Sequence, residues 1–120
     1  MFSIAIHGGA GTILRSAMTA EMDIAYRQAL ADALEAGYTL LEKGGSALDA
    51  VSAATVSLEN NILFNAGKGC VFTNRGEHEM DASVMNGSNG AAGAVAGVKQ
   101  IKNPVLLARE VMENSQHVFL

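Results

Sequence analysis

The chain has 120 residues, 49% of them apolar and 17% charged, and 8 Lys and Arg against 12 Asp and Glu leave a net charge of -4. A chain of this length is about one small domain, and such a domain buries roughly 60 to 70% of its unfolded surface, so a core is possible. Cations scattered singly on an acidic chain exclude a basic field for nucleic acid or anionic lipid.

No stretch reaches the ~20 consecutive apolar residues of a membrane span. The start also lacks a basic segment leading into an apolar one, so a cytoplasmic protein is expected.

In chain order, residues 2–6 are apolar and partly β-branched and run into glycines, which predicts a buried strand ending in a tight loop. Thr19 is placed to cap a helix with Glu21 in its first turn. Met22, Tyr26, Leu30, Ala33, Gly37 and Leu41 lie on one face, and the helix stops at Gly44-Gly45. Ser46 and Asp49 can cap a second helix whose buried stripe is Leu48, Val51, Thr55 and Leu58.

Residues 71–74 and 79–85 read as a hairpin around Arg75-Gly76-Glu77. Residues 91–98 are small and apolar. Gly93 and Gly97 inside so short a run argue against a helix, each costing roughly 1 kcal/mol against Ala, so a buried strand with close backbone neighbours is expected. Asn103-Pro104 fits the cap and first position of a helix over 105–114, and residues 117–120 begin another element.

Two glycine-rich corners carry the chemical signal: His7-Gly8-Gly9-Ala10-Gly11, and Phe64-Asn65-Ala66-Gly67-Lys68-Gly69. Nucleotide binding fails on spacing. Leu14 stands where Gly or Ala would complete a dinucleotide motif, and no Ser or Thr follows Lys68 as a P-loop needs. His7 has no second ligand or carboxylate at metal spacing and reads as a structural His bonded at its loop rather than a base. Gly8, Gly9 and Gly11 reach backbone angles closed to other residues and let main chain approach closely.

From its chemistry alone Asn65 divides evenly between a site amide and a left-handed turn former. Asp81 reads as a buried, hydrogen-bonded carboxylate rather than a catalytic one. Cys70, the single cysteine, cannot form an internal disulfide. It reads as a buried, inert thiol in Cys70-Val71-Phe72.

Six segments in order, I-A-I-H-G-G-A-G from Ile4, G-G-S-A-L-D-A-V from Gly44, L-F-N-A-G-K-G from Leu63, E-M-D-A-S-V-M-N-G from Glu79, A-G-A-V-A-G-V from Ala92 and K-N-P-V-L-L-A-R from Lys102, resemble the plant-type asparaginase and isoaspartyl peptidase family. These are N-terminal-nucleophile hydrolases with a catalytic threonine. The resemblance implies the first portion of an α-β-β-α sandwich, an α/β fold. It tips Asn65 toward a donor beside the nucleophile, in an oxyanion-stabilising role. It also makes Gly8 part of the corner behind the nucleophile.

The segment 58–68 matches the family's sodium-binding loop, which implies that the main-chain carbonyls of Leu58, Glu59, Asn61, Phe64, Ala66 and Lys68 hold the ion. Lys68 is unusual there, and its ammonium has to swing outward. Asn86 stands where the family commonly has Asp, and both suit a turn before Gly87.

In the family the precursor cuts itself, and a Thr at the new N-terminus attacks the substrate amide with its own α-amine as base. Thr12, Thr19, Thr39, Thr55 and Thr73 are the threonines here, and none opens a T-V-G-A-V-like run. The chain is therefore expected to be an incomplete α part of one hydrolase domain, inert alone. Its implied partner is a Thr-led β chain in an αβ dimer of dimers acting on isoaspartyl peptides or asparagine. The rivals are a glycosylasparaginase-like amidase and a non-catalytic binding or scaffold module.

Overall fold

The computed structural model describes residues 1–11 and 13–120; Thr12 lies outside the described residues. Among the described residues, three α-helices, two short 3-10 turns (Arg15–Ala17 and Gly67–Gly69) and one antiparallel strand pair make up the regular structure: α1 (Ala20–Glu42), α2 (Ala47–Glu59), β1 (Met80–Met85), β2 (Ala92–Val98) and α3 (Pro104–Asn114).

Both early helices start where their caps predict. Thr19 Oγ1 accepts from the Met22 N–H at 3.1 Å, and Ser46 Oγ accepts from the Asp49 N–H at 3.0 Å. Such caps contribute about 1 kcal/mol each. α1 ends in the Gly44-Gly45 pair, whose N–H groups return to Leu41 and Leu40 at 3.0 and 2.8 Å.

The face of α1 buried most deeply is the small one, Ala29, Ala33 and Gly37. It lets the helices approach closely, since a Cβ at Gly37 would stand 2.8 Å from the Ala50 carbonyl oxygen of α2. Tyr26, Leu30 and Leu41 are half-buried, while Met22 is exposed. The stripe expected on α2 also differs in part. Ala50, Ser52, Ala54 and Glu59 are its buried residues, and Val51 is exposed toward residues 4–7, with which it lines a cavity of about 170 Å³.

Residues 2–6 form no strand; among the described residues they have no ladder partner. Their apolar side chains lean on α1 instead, with Phe2 edge-on to Tyr38 at 5.2 Å. The expected hairpin is likewise redistributed. Residues 71–74 contribute a single bridge, Phe72 to His78, and the ladder of residues 80–85 runs to β2. Val71 and Phe72 are 63% and 68% exposed, so extending that pairing would bury little apolar surface, whereas β2 offers a covered face.

The strand expected over 91–98 is present and close-packed. Val84, Val95, Ala108 and Val111 form the core between the strand pair and α3. A Cβ at Gly93 would lie 2.6 Å from the Met112 nitrogen, so glycine is what lets α3 settle on the sheet. A bulge places Ala96 and Gly97 opposite Asp81, with Gly97 at φ +65°. Residues 118–120 run parallel to β2 through one isolated bridge, Ala94 to Phe119, with Ala94 N–H donating to the Val118 carbonyl at 2.7 Å.

Candidate active-site loop

The loop after α2 is built from short local bonds. Asn61 N–H donates to the Leu58 carbonyl at 3.1 Å, Leu63 N–H to Asn61 Oδ1 at 2.9 Å, and Ala66 N–H to the Phe64 carbonyl at 2.8 Å. Gly69 N–H then donates to the Ala66 carbonyl at 3.1 Å. Gly67, at φ +52°, carries the left-handed turn. Its main chain presses on the Glu59 carbonyl, and Gly69 presses on those of Ile62 and Phe64, so a side chain at either glycine would collide with carbonyl oxygen.

Asn65 is not the left-handed residue, since among the described residues positive φ occurs only at glycine. Its reading as a left-handed turn former is therefore corrected. The side chain has a definite anchor: Oδ1 accepts from the Val71 N–H at 3.0 Å. With the acceptor end engaged, Nδ2 is left as a donor with no partner among the described residues. Asn65, itself exposed, lines a cavity of about 290 Å³ whose wall includes Gly67, Val71, Asp81 and Pro104.

The two glycine corners meet. A Cβ on Gly8 would lie 3.1 Å from Phe64 Cε1 and 3.0 Å from Leu30 Cδ2. Phe64 is 5% exposed, and its ring also meets Tyr26 edge-on at 6.0 Å. Gly8 itself does not have positive φ; in that corner Gly9 does, at +123°. Gly8 is closely packed, and a Cβ there would require the Phe64 and Leu30 side chains to shift by a few tenths of an ångström.

The other candidates fall as follows. His7 is exposed and has no side-chain hydrogen bond among the described residues, so the anchoring bond expected of it is not formed. Asp81 is exposed rather than buried, and its Oδ1 accepts from the Gly97 N–H at 2.9 Å, tying the bulge. Asn86 holds the turn between β1 and β2, its Oδ1 accepting from Ser88 N–H at 3.0 Å. Cys70 is half-buried, with Sγ 3.1 Å from His78 Nδ1, which corrects the picture of a thiol sealed in apolar packing. Lys68 is exposed.

Sequence reasoning missed the carboxylate of Glu59. It is 3% exposed, accepts from the Val105 N–H at 2.9 Å and from Asn103 Nδ2 at 3.1 Å, and so caps α3 from the end of α2. Burial pushes its pKa up, opposed by the bonds from Val105 and Asn103. An acid closing an apolar helix was the one signal available, and its partners lie too far along the chain for spacing to reveal them.

Comparison with known proteins gives the family. Residues 1–120 match the family described as asparaginase, and the chain belongs to that family. The isoaspartyl peptidase of Salmonella typhimurium is 54% identical over 117 residues, covering 98% of this chain and 37% of the relative. The isoaspartyl peptidase of Escherichia coli is 53% identical over 117 residues, with coverage of 98% and 36%. The plant-type L-asparaginase of Pyrococcus abyssi is 47% identical over 120 residues, with coverage of 100% and 38%. The chain thus spans somewhat over a third of the length of these curated relatives. The expected fold class stands: mixed α/β, the N-terminal part of an N-terminal-nucleophile hydrolase fold.

Proposed function

We propose that this chain is the α part of an isoaspartyl peptidase and L-asparaginase, with residues 1–120 an incomplete portion of a single hydrolase domain. The observation that carries the reading is the Asn65 amide, whose Oδ1 accepts from the Val71 N–H, which keeps Nδ2 as a donor, and which lines a cavity. Family membership supplies the reaction class.

The proposed chemistry is acyl transfer to a threonine. A Thr at the head of a partner β chain attacks the carbonyl carbon of a β-aspartyl linkage or of the asparagine side-chain amide, and its α-amine takes the hydroxyl proton. That proton leaves with the departing amine, and water then hydrolyses the acyl-threonine ester. Asn65 Nδ2 donates to the oxygen that gains charge, a contribution worth on the order of 100-fold or more in turnover. Gly8 contributes main chain at the corner against Phe64.

A structural sodium ion fits the residues present. The carbonyls of Leu58, Phe64 and Ala66 each accept one bond and keep a second lone pair, and glycines 67 and 69 bring main chain close against the carbonyls of Glu59, Ile62 and Phe64. Leu58, Glu59, Asn61, Phe64, Ala66 and Lys68 would hold the ion by main-chain oxygen, and it would add rigidity to the loop that bears Asn65. The proposed assembly is an αβ dimer of dimers.

The test uses the complete protein. Mass spectrometry is expected to find a second chain beginning with Thr, and Thr→Ala at that position should abolish hydrolysis of a β-aspartyl dipeptide. Turnover by a single uncut chain, or by residues 1–120 alone, would overturn the assignment of the nucleophile. A marked preference for glycosylated asparagine over the dipeptide would favour the related amidase.

A further inference from the structure

The geometry points to the ring of Phe64 as a positioning residue, a spacer held between the His7-Gly8 corner and α1 that sets where the adjoining Asn65 amide lies. This rests on the reading of Asn65 given above. Phe64 is one of few large side chains near full burial in a core made mostly of Ala and Val. It has three neighbours with distinct origins. Gly8 lies against Cε1, where a Cβ would come to 3.1 Å; Tyr26 of α1 meets the ring edge-on at 6.0 Å; and Gly69 packs on the Phe64 carbonyl. The ring is thus gripped on one side by the corner and on another by α1, while its own main chain leads directly into Asn65.

The Asn65 side chain has only one hydrogen bond among the described residues, from the Val71 N–H to Oδ1. One bond leaves the amide free to pivot, so the placement of Nδ2 depends on where the backbone of Phe64 is held. An aromatic ring with two contacts of fixed geometry holds it more rigidly than an aliphatic chain, which repacks by rotating. Catalytic donors are sensitive to such shifts; a misplacement of about 1 Å costs on the order of 100-fold. Leucine at position 64 would keep most of the burial and lose the ring contacts with Gly8 and Tyr26.

The experiment measures kcat and KM for a β-aspartyl dipeptide, with melting temperature, in the complete enzyme carrying Phe64→Leu, Asn65→Ala or both. Phe64→Leu is expected to lower kcat about 10- to 100-fold with KM within about twofold, because the lost contact acts in the transition state. In the Asn65→Ala background the same substitution should cost almost nothing further, since the ring acts through the amide. Wild-type kcat for Phe64→Leu, or a loss that is fully retained in the Asn65→Ala background, would overturn the role of the ring. Should Phe64→Leu fail to fold, Tyr26→Leu removes the other brace and is judged by the same two criteria. Asn65→Ala with wild-type turnover would remove the reading of Asn65 and this inference with it. An inactive Asn65→Ala beside a fully active Phe64→Leu would remove the inference alone.

Discussion

The Glu59 carboxylate at the end of α2 accepts the Val105 N–H at the start of α3, 2.9 Å apart across 46 positions of sequence. The helix whose own cap residue, Asn103, makes no side-chain capping bond is therefore capped from the last residue of α2, where the loop to Asn65 begins. A negative charge at a helix N-terminus is also favoured by the helix dipole.

Glu59→Ala in the complete protein should lower stability by about 1–3 kcal/mol, because the buried Val105 N–H loses its acceptor and the Asn103 amide keeps only the longer bond to Asn60 Oδ1. Glu59→Gln keeps one acceptor oxygen and should lose less. Denaturant melts of the two variants check the order, and equal losses would mean that the one acceptor oxygen Gln retains contributes nothing and that the full carboxylate is required.

Ser52→Ala should raise stability by roughly 0.5–1 kcal/mol. The Ser52 hydroxyl is buried with no hydrogen-bond partner among the described residues, and Ala is also the better helix former. A melting temperature below wild type would mean that the hydroxyl has a partner in the complete protein.

Asp49 gives a pH signature. The Ser46 hydroxyl at 2.7 Å and the Arg109 guanidinium at 2.8 Å hold its pKa below the ordinary value of 3.8. A lowered carboxylate stabilises the fold above its unfolded value and loses that contribution as pH falls through the folded one. The stability gap between wild type and Asp49→Asn should therefore be constant near neutrality and close below about pH 4. A gap that widens on acidification would reverse the sign.

Much of this was legible in the sequence, and the misses share a cause. Caps and glycine breaks are local, so α1, α2 and the start of α3 were readable from Thr19, Ser46, Gly44-Gly45 and Asn103-Pro104. The small residues over 92–98 announced close packing, and Gly93 against α3 bears that out. Pairing is not local: residues 2–6 look like a strand but find no ladder partner among the described residues, and residues 79–85 pair forward with β2 rather than back with 71–74. The site divides the same way. Asn65 between Phe64 and Gly67 was visible as an unusual turn, whereas the Val71 anchor, the Gly8 contact and the Glu59 cap exist only once distant segments meet.

Replacing sodium with a bulky organic cation at fixed ionic strength should lower the melting temperature of the complete protein. Binding to the folded state alone contributes about 2.7 kcal/mol at a hundred times the dissociation constant. A melting temperature flat across a wide sodium range would count against the carbonyl site at residues 58–68.

The most direct measurement is the turnover of Asn65→Ala in the complete, assembled enzyme, taken beside its melting temperature. The loop is set largely by Gly67 and Gly69, so folding should change little, while loss of a transition-state donor lowers kcat on the order of 100-fold or more. Wild-type kcat in a folded Asn65→Ala enzyme would contradict the account at its centre.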